Sequence, residues 1–418
     1  MQLNNSLITK ILSLVFLLLG LQSLLPFRLK PIGIIIGVLV AIIIFAKNKK
    51  VCLSRLLLIN SLIFFIYIIS LFNSENTVYV WKYLETSLPF LAFPVFYYLI
   101  SGLNFTKINF TKISNIFYRT YFLATIMYSI IVIAYFFHLG CFMGKASYNL
   151  CLSYIRVYVW GFYGHPIYVS IFIMLAIIFS VYLFKNKLLN KTILIIGIFI
   201  LFGLLFFLSR KAVIVSGIIS LIYYLFNIIN NKKLKTNILI VITIIFASGI
   251  FIFPNTTKRF KELFNSKTYF GKPDKENSTQ LRLIIYKCSL NQISQAGFFG
   301  FGLGDVQDKL NGCYLQKNPA MLDGHGYYNT HNVYLNFILA TGFFGFSFFL
   351  FFLYTLYKTA IKSKNRLFVS ILIFFTLIFL TENVISRQNG VIIFSFLINF
   401  YTFKFLIDSE NLCKSKKK

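Results

Sequence analysis

The sequence is poor in charge and poorer still in acids. Charged types make up 12% of its 418 residues, with Asp and Glu numbering 11 against 41 Lys and Arg. A soluble domain carries roughly 25% charged residues. A fold of this length could not cover its surface in water with so few, so soluble and disordered classes are excluded. Cysteine is scarce, with 6 in all. None falls in a CxxC or Cys/His spacing, so neither a zinc site nor a disulfide scaffold is indicated. There is no proline-rich or serine-rich linker and no internal repeat. There is also no paired carboxylate of the kind glycoside hydrolysis uses. What the chain has instead is apolar surface: 58% hydrophobic types and a mean hydropathy of +0.77. Its solvent is largely lipid.

The formal charge of +30 would suggest a nucleic-acid partner in a soluble protein. In a multispanning protein, short cytoplasmic loops collect basic residues, so no nucleic acid is expected. A span needs about 20 mostly apolar residues. Twelve such runs are present: 8–26, 31–47, 56–73, 86–101, 118–138, 165–184, 191–208, 212–230, 236–253, 332–356, 367–381 and 390–407. The fold class is therefore all-α, a polytopic helical bundle of an inner membrane. The first run lacks a small-residue cleavage site and reads as a retained anchor. With both termini cytoplasmic, the inner gaps hold Lys47, Lys49, Lys50, Arg55, Lys185, Lys187, Lys232, Lys233, Lys235, Lys358, Lys362, Lys364, Arg366 and the basic tail, while only Asp408 and Glu410 among the acids fall there. Three regions follow: nine spans over 1–253, a long outer loop over 254–330, and three spans with the tail over 331–418. Cys52 and Cys413 fall on the inner side and are expected as free thiols. Cys141 with Cys151, and Cys288 with Cys313, share outer segments facing an oxidising space, where each pair could form a disulfide or remain as buried thiols.

The long loop opens basic, with Lys258, Arg259, Lys261, Lys267, Lys272 and Lys275. Leu281, Ile284, Ile285 and Cys288 then recur at helical spacing, with Ser278 or Thr279 as N-cap, which predicts an amphipathic helix over 281–295. A glycine-rich turn follows at 297–304.

Ionisable groups at membrane level are functional candidates by default. Arg210 and Lys211 sit in an almost absent outer connection, against the positive-inside trend; the alternative is snorkelling to lipid phosphate. Arg282 lies on the predicted outer helix, where a lone arginine is ordinarily a solvated charge. His331 stands where the long loop re-enters the membrane, as a proton acceptor or as a helix-start hydrogen-bonding group. Two guanidinium forks and one imidazole facing a common cavity suit a phosphate-linked substrate: the forks match phosphate oxygens and the imidazole takes a hydroxyl proton. Asp305, Asp308 and Asp323 are too few and too isolated for a metal cage, so no metal and no cofactor is expected. Gly342 and Gly345 read as positions of close helix approach.

In order, Leu208-Ser209-Arg210-Lys211-Ala212, Gln280-Leu281-Arg282-Leu283, the Gly300-Phe301-Gly302-Leu303-Gly304 turn, and Thr330-His331-Asn332-x-Tyr334-Leu335 with Gly342 and Gly345 resemble the O-antigen ligase and polymerase superfamily. Gly164-His165-Pro166-Ile167-Tyr168, the stretch Lys82 to Pro94, and Glu382 with Arg387, Gln388 and Gly390 extend the resemblance over roughly residues 80–400. It implies a glycosyltransferase that moves glycan from undecaprenyl pyrophosphate to an acceptor hydroxyl on the periplasmic side, inverting and metal-independent. The acceptor is lipid A–core for a ligase or a second lipid-linked repeat unit for a polymerase. The motif arginines correspond to Arg210 and Arg282 as pyrophosphate binders, and the motif histidine to His331 as base. Lys211, His165, Tyr168, Asn332, Glu382 and Arg387 are implied as supporting residues. A second histidine that some members carry just before the motif one is replaced here by Asn329, and His325 lies further back. The rival class is a polysaccharide transporter, which favours mid-span charges and internal repeats; neither is evident.

Overall fold

The structure is a computed structural model and describes residues 4–143, 145–157, 164–271, 277–317 and 328–409. These are helical, with no strand among the described residues. The apolar runs become α1 (Asn5–Gly20), α2 (Ile32–Asn48), α3 (Arg55–Asn60) with α4 (Leu62–Ile69), α5 (Thr77–Ser87) with α6 (Pro89–Ile100), and α7 (Phe110–His138). A short helix α8 (Tyr148–Val157) precedes α9 (Pro166–Lys185), α10 (Lys191–Leu208), α11 (Lys211–Ile228) and α12 (Lys232–Ile252). The long loop folds as α13 (Pro254–Lys261), α14 (Ser266–Phe270), α15 (Ser278–Ala296) and α16 (Val306–Lys317). The last described helices are α17 (Val333–Lys362), α18 (Arg366–Phe379) and α19 (Gln388–Asp408). Among the described residues, ten helical segments are long and apolar enough to cross a membrane, and two shorter apolar ones, Leu62–Asn73 and Arg366–Phe379, stand where the third and eleventh runs were read.

Asparagine starts many of these helices. The side-chain oxygens of Asn4, Asn76, Asn109, Asn190, Asn231, Asn265, Asn277, Asn332 and Asn365 each accept an amide N–H of the following turn. This satisfies donors that a helix N-terminus leaves without partners. The outer helix α15 forms as expected, but its cap is Asn277 rather than Ser278 or Thr279.

Two helix breaks depart from the plain hydropathy reading. The third span is interrupted at Ser61. There the Asn60 amide is buried and donates to Asn399 Oδ1 at 3.1 Å and Thr402 Oγ1 at 3.3 Å on α19. In lipid such polar ties hold helices that hydrophobicity cannot, because lipid is as apolar as leucine. The second break is at Gly342 inside α17, with φ 62° and ψ −165°. The glycine-rich turn docks against it: Phe301 N–H donates to Leu339 O at 2.8 Å, Gly302 N–H to Ala340 O at 2.9 Å, and Phe344 N–H to Phe298 O at 3.0 Å. A side chain at Gly342 would collide with the backbone of Phe298 and Gly300. Gly342 is thus a break rather than a helix–helix contact, while Gly345 does approach Ile66 of α4.

The middle of the bundle is an aromatic mass. Phe117 packs on Phe396 with ring centroids 4.7 Å apart, Phe396 stacks on Phe400 at 5.7 Å, and Phe368 stacks on Tyr401 at 4.8 Å. Dispersion and ring geometry bind helices here, each aromatic pair contributing roughly 0.5–1.5 kcal/mol. The Tyr118 and Tyr401 hydroxyls meet at 2.8 Å, so no polar tip in this pair is orphaned. By contrast, only 6% of the apolar window of α12 is buried, against 83% for α19. α12 touches the bundle through Phe246, Gly249 and Phe253 on the Phe206 ring.

Cys141–Cys151 and Cys288–Cys313 are both disulfides. Cys52, expected as a thiol, is also disulfide-bonded. Its segment is fixed by Ser101, which accepts Cys52 N–H at 2.8 Å; such tertiary placement, not spacing along the chain, decides reach. Cys413, Asp323 and His325 lie outside the described residues.

Candidate functional site

At the loop end of the bundle, Arg210, Arg282 and His331 line one cavity of about 540 Å³. Each comes from a different element, and local chain chemistry fixes each one.

Arg210 follows a tight reversal between α10 and α11. Ser209 makes the turn in the left-handed region at φ 52°. Its hydroxyl bonds Phe206 O at 3.0 Å and Thr256 Oγ1 at 2.7 Å, so the turn is locked to α13. Burial draws the Arg210 pKa down to about 10, which still leaves it charged at neutral pH. Its Nε has no hydrogen-bond partner. The residue is half-buried, and a buried Nε donor left unmet is costly unless something else comes to it.

Arg282 projects from the second turn of α15 and forms an ion pair with Glu382, on the turn between α18 and α19. The other Glu382 oxygen lies 3.1 Å from His331 Nδ1. Burial alone would raise the Glu382 carboxyl; Arg282 first, then His331 and Arg210, overcome it and hold the pKa at about 2. Glu382 is therefore a carboxylate at neutral pH. A carboxylate accepts at Nδ1, which places a proton on that nitrogen, so that in the neutral ring Nε2 is the acceptor. His331 itself sits at φ 45°. Asn329 Oδ1 accepts its N–H at 2.9 Å, and Tyr286 donates to its carbonyl at 3.3 Å. A non-glycine residue held in this region is a strained placement that its surroundings over-determine.

The cavity has further cations. Arg259 and Lys258 of α13 line it, and Arg259 Nη1 donates to Ser278 Oγ at 3.2 Å. Both stood in the basic opening of the long loop, where nothing in the sequence distinguished them from Lys261 or Lys267. His165 lines the cavity as well; its Nδ1 accepts the Ile167 N–H at 3.4 Å at the start of α9.

The remaining supporting residues sit around the cavity rather than on it. Lys211 bonds Glu262 at 3.0 Å and Thr279 at 2.7 Å, clamping α11 to α13 and α15. Asn332 caps α17 and donates to Leu380 O at 3.0 Å. Tyr168 is buried behind the wall, 3.4 Å from Val384 O, and Arg387 is exposed at the start of α19. Asp305, one of the acids weighed for a metal, accepts the N–H groups of Glu75 at 2.8 Å and Asn76 at 2.9 Å, an anchor for the glycine-rich turn.

Among the described residues the protein is a many-spanning α-bundle with a cationic, histidine-bearing cavity at one end. The family model described as O-antigen ligase matches residues 195–350, so that segment is similar to the O-antigen ligase superfamily. The segment runs from α10 into α17 and contains Arg210, Arg282 and His331. No curated protein matches the chain. The family supports a membrane O-antigen ligase or polymerase type of function, with glycosyltransferase-like ligase activity.

Proposed function

We propose that the protein transfers a glycan from undecaprenyl pyrophosphate to an acceptor hydroxyl at the periplasmic face of the inner membrane, with inversion and without a metal. The observation that carries this reading is the coupling of Arg282, Glu382 and His331 in one chain of contacts beside the half-buried Arg210.

The chemistry follows from those groups. Arg210 and Arg282 bind the pyrophosphate, with Arg259 adding charge. The acceptor oxygen attacks the anomeric carbon from the face opposite the phosphate. Its proton passes to His331 Nε2 as the new C–O bond forms. The old C–O bond breaks and its electron pair goes to the pyrophosphate oxygen, where the guanidinium groups stabilise it. Glu382 holds the ring in the basic tautomer and balances the imidazolium charge. Lipid A–core is the acceptor of a ligase; a polymerase uses a second lipid-linked repeat unit. The absence of an evident repeat or mid-span charge network disfavours transport. Purified protein in vesicles, given lipid-linked glycan with either acceptor, tests the reading. Extension of one acceptor is expected, and persistence in EDTA with it. Extension of neither, while a related enzyme works in the same assay, overturns the proposal; loss in EDTA restored by a divalent ion overturns the metal-free step.

A further inference from the structure

The cavity is not cationic throughout. Part of its wall is neutral and rich in hydrogen-bonding groups. Asn149 comes from the first turn of α8 and Asn255 from the first turn of α13. Neither side chain makes a hydrogen bond to the described residues, and both border the cavity. Tyr148 stands beside them, its hydroxyl donating to Leu208 O at 3.0 Å, two residues before Arg210. The Cys141–Cys151 disulfide closes the loop that presents α8, and Ser147 caps that helix by accepting the Leu150 N–H at 3.3 Å. This wall is thus built on a tethered element.

A primary amide offers a donor and an acceptor side by side. That pairing suits vicinal hydroxyls or an acetamido group, and does nothing special for a phosphate, which wants donors and positive charge. We infer that Asn149 and Asn255 form a sugar subsite that reads the monosaccharide attached directly to the pyrophosphate of the donor. The inference rests on the transferase reading above. Covalent geometry supports the choice of sugar: the anomeric carbon is one oxygen from phosphorus, so that ring must lie next to phosphate held at Arg210, where Tyr148 and its neighbours are. The sugar is recognised through amides while the charged end is recognised through guanidinium groups, so the two should separate by mutation.

The test uses the full chain in detergent or nanodiscs, with two ligands: polyprenyl-pyrophosphate-linked monosaccharide, and polyprenyl pyrophosphate without sugar. Asn149→Ala and Asn255→Ala are expected each to raise the donor KM about tenfold, the loss of one or two hydrogen bonds, with kcat changed little. The inhibition constant of the sugar-free pyrophosphate should stay within about twofold. Thermal shift gives a readout independent of turnover: the linked sugar should stabilise the unmodified protein more than the sugar-free lipid does, and the variants should erase that difference. Donors bearing a 2-acetamido or a 2-hydroxy sugar should be discriminated less well by the variants. An unchanged donor KM, or an inhibition constant that rises in the same ratio, overturns the sugar subsite. Failure of the unmodified protein to bind either ligand overturns the transferase reading itself, and the subsite with it.

Discussion

The aromatic centre of the bundle and the cavity at its loop end follow opposite rules. Around Phe117, Phe396 and Phe400 the side chains are buried and matched, and the Tyr118 and Tyr401 hydroxyls satisfy each other. Around Arg210 and His331 two residues hold left-handed backbone, and the Nε atoms of Arg210 and Arg282 are buried without a partner. The first region stores the packing that holds the helices together in lipid. The second carries costs that packing does not require. Unmet donors are not confined to the cavity, since the Tyr97 hydroxyl in the aromatic mass also lacks a partner; around Arg210 and His331 they coincide with left-handed backbone and with a cavity open to a ligand.

That contrast can be broken by substitution. The largest effect is expected for His331→Ala, which removes the base. Transfer should fall by about 10²–10⁴ with expression and thermal midpoint retained, as a radiolabelled or mass-resolved glycan assay would register. Arg210→Ala and Arg282→Ala should each cost about 2–4 kcal/mol in transition-state stabilisation, by analogy with losing one oxyanion donor. Lysine should rescue either one poorly, since a point charge lacks the fork. Arg210→Met adds a sharper form: because a buried charge opposes folding, the thermal midpoint should hold or rise while activity is lost. A fall in stability with activity intact would reverse the comparison.

Glu382→Gln should lower kcat about 10–100-fold, the scale on which a group supporting a histidine acts. It also has a pH signature. The Glu382 pKa is depressed from 4.5 to about 2 in the folded protein. Its contribution to stability is therefore complete above the unfolded value and is lost as pH falls from about 4.5 toward 2. Acid unfolding of Glu382→Gln should lack that component. The smallest catalytic effect belongs to the aromatic centre: Phe400→Leu should lower stability by about 1 kcal/mol and leave kcat nearly unchanged, as melting and kinetics run in parallel would reveal.

Much of the fold was legible because lipid imposes a simple code. Apolar runs of sufficient length marked the positions of the spans, and the spans fix which connections share an end. The breaks were less legible. Hydropathy carries no trace of the Asn60–Asn399 tie that accompanies the Ser61 interruption. The sequence shows Gly342 but not that the turn at 297–304 docks on it. At the site, Arg210 and His331 stood out because charge at a membrane boundary is expensive, and Arg282 through its company. Arg259, Asn149 and Asn255 did not, since a basic loop residue or an asparagine beside a helix start is ordinary until tertiary contacts place it. Lys211, Tyr168, Asn332 and Arg387, implied only as supporting residues by the resemblance, surround the cavity rather than line it.

The central claim is that His331 deprotonates an acceptor while the arginines hold the pyrophosphate. Single-turnover release of polyprenyl pyrophosphate from a labelled donor tests it most directly. The unmodified protein should release it only when a hydroxyl acceptor is present, yielding an inverted glycosidic bond, and His331→Ala should bind the donor yet release almost none. Release by His331→Ala at the unmodified rate, or a product of retained configuration, would contradict the account.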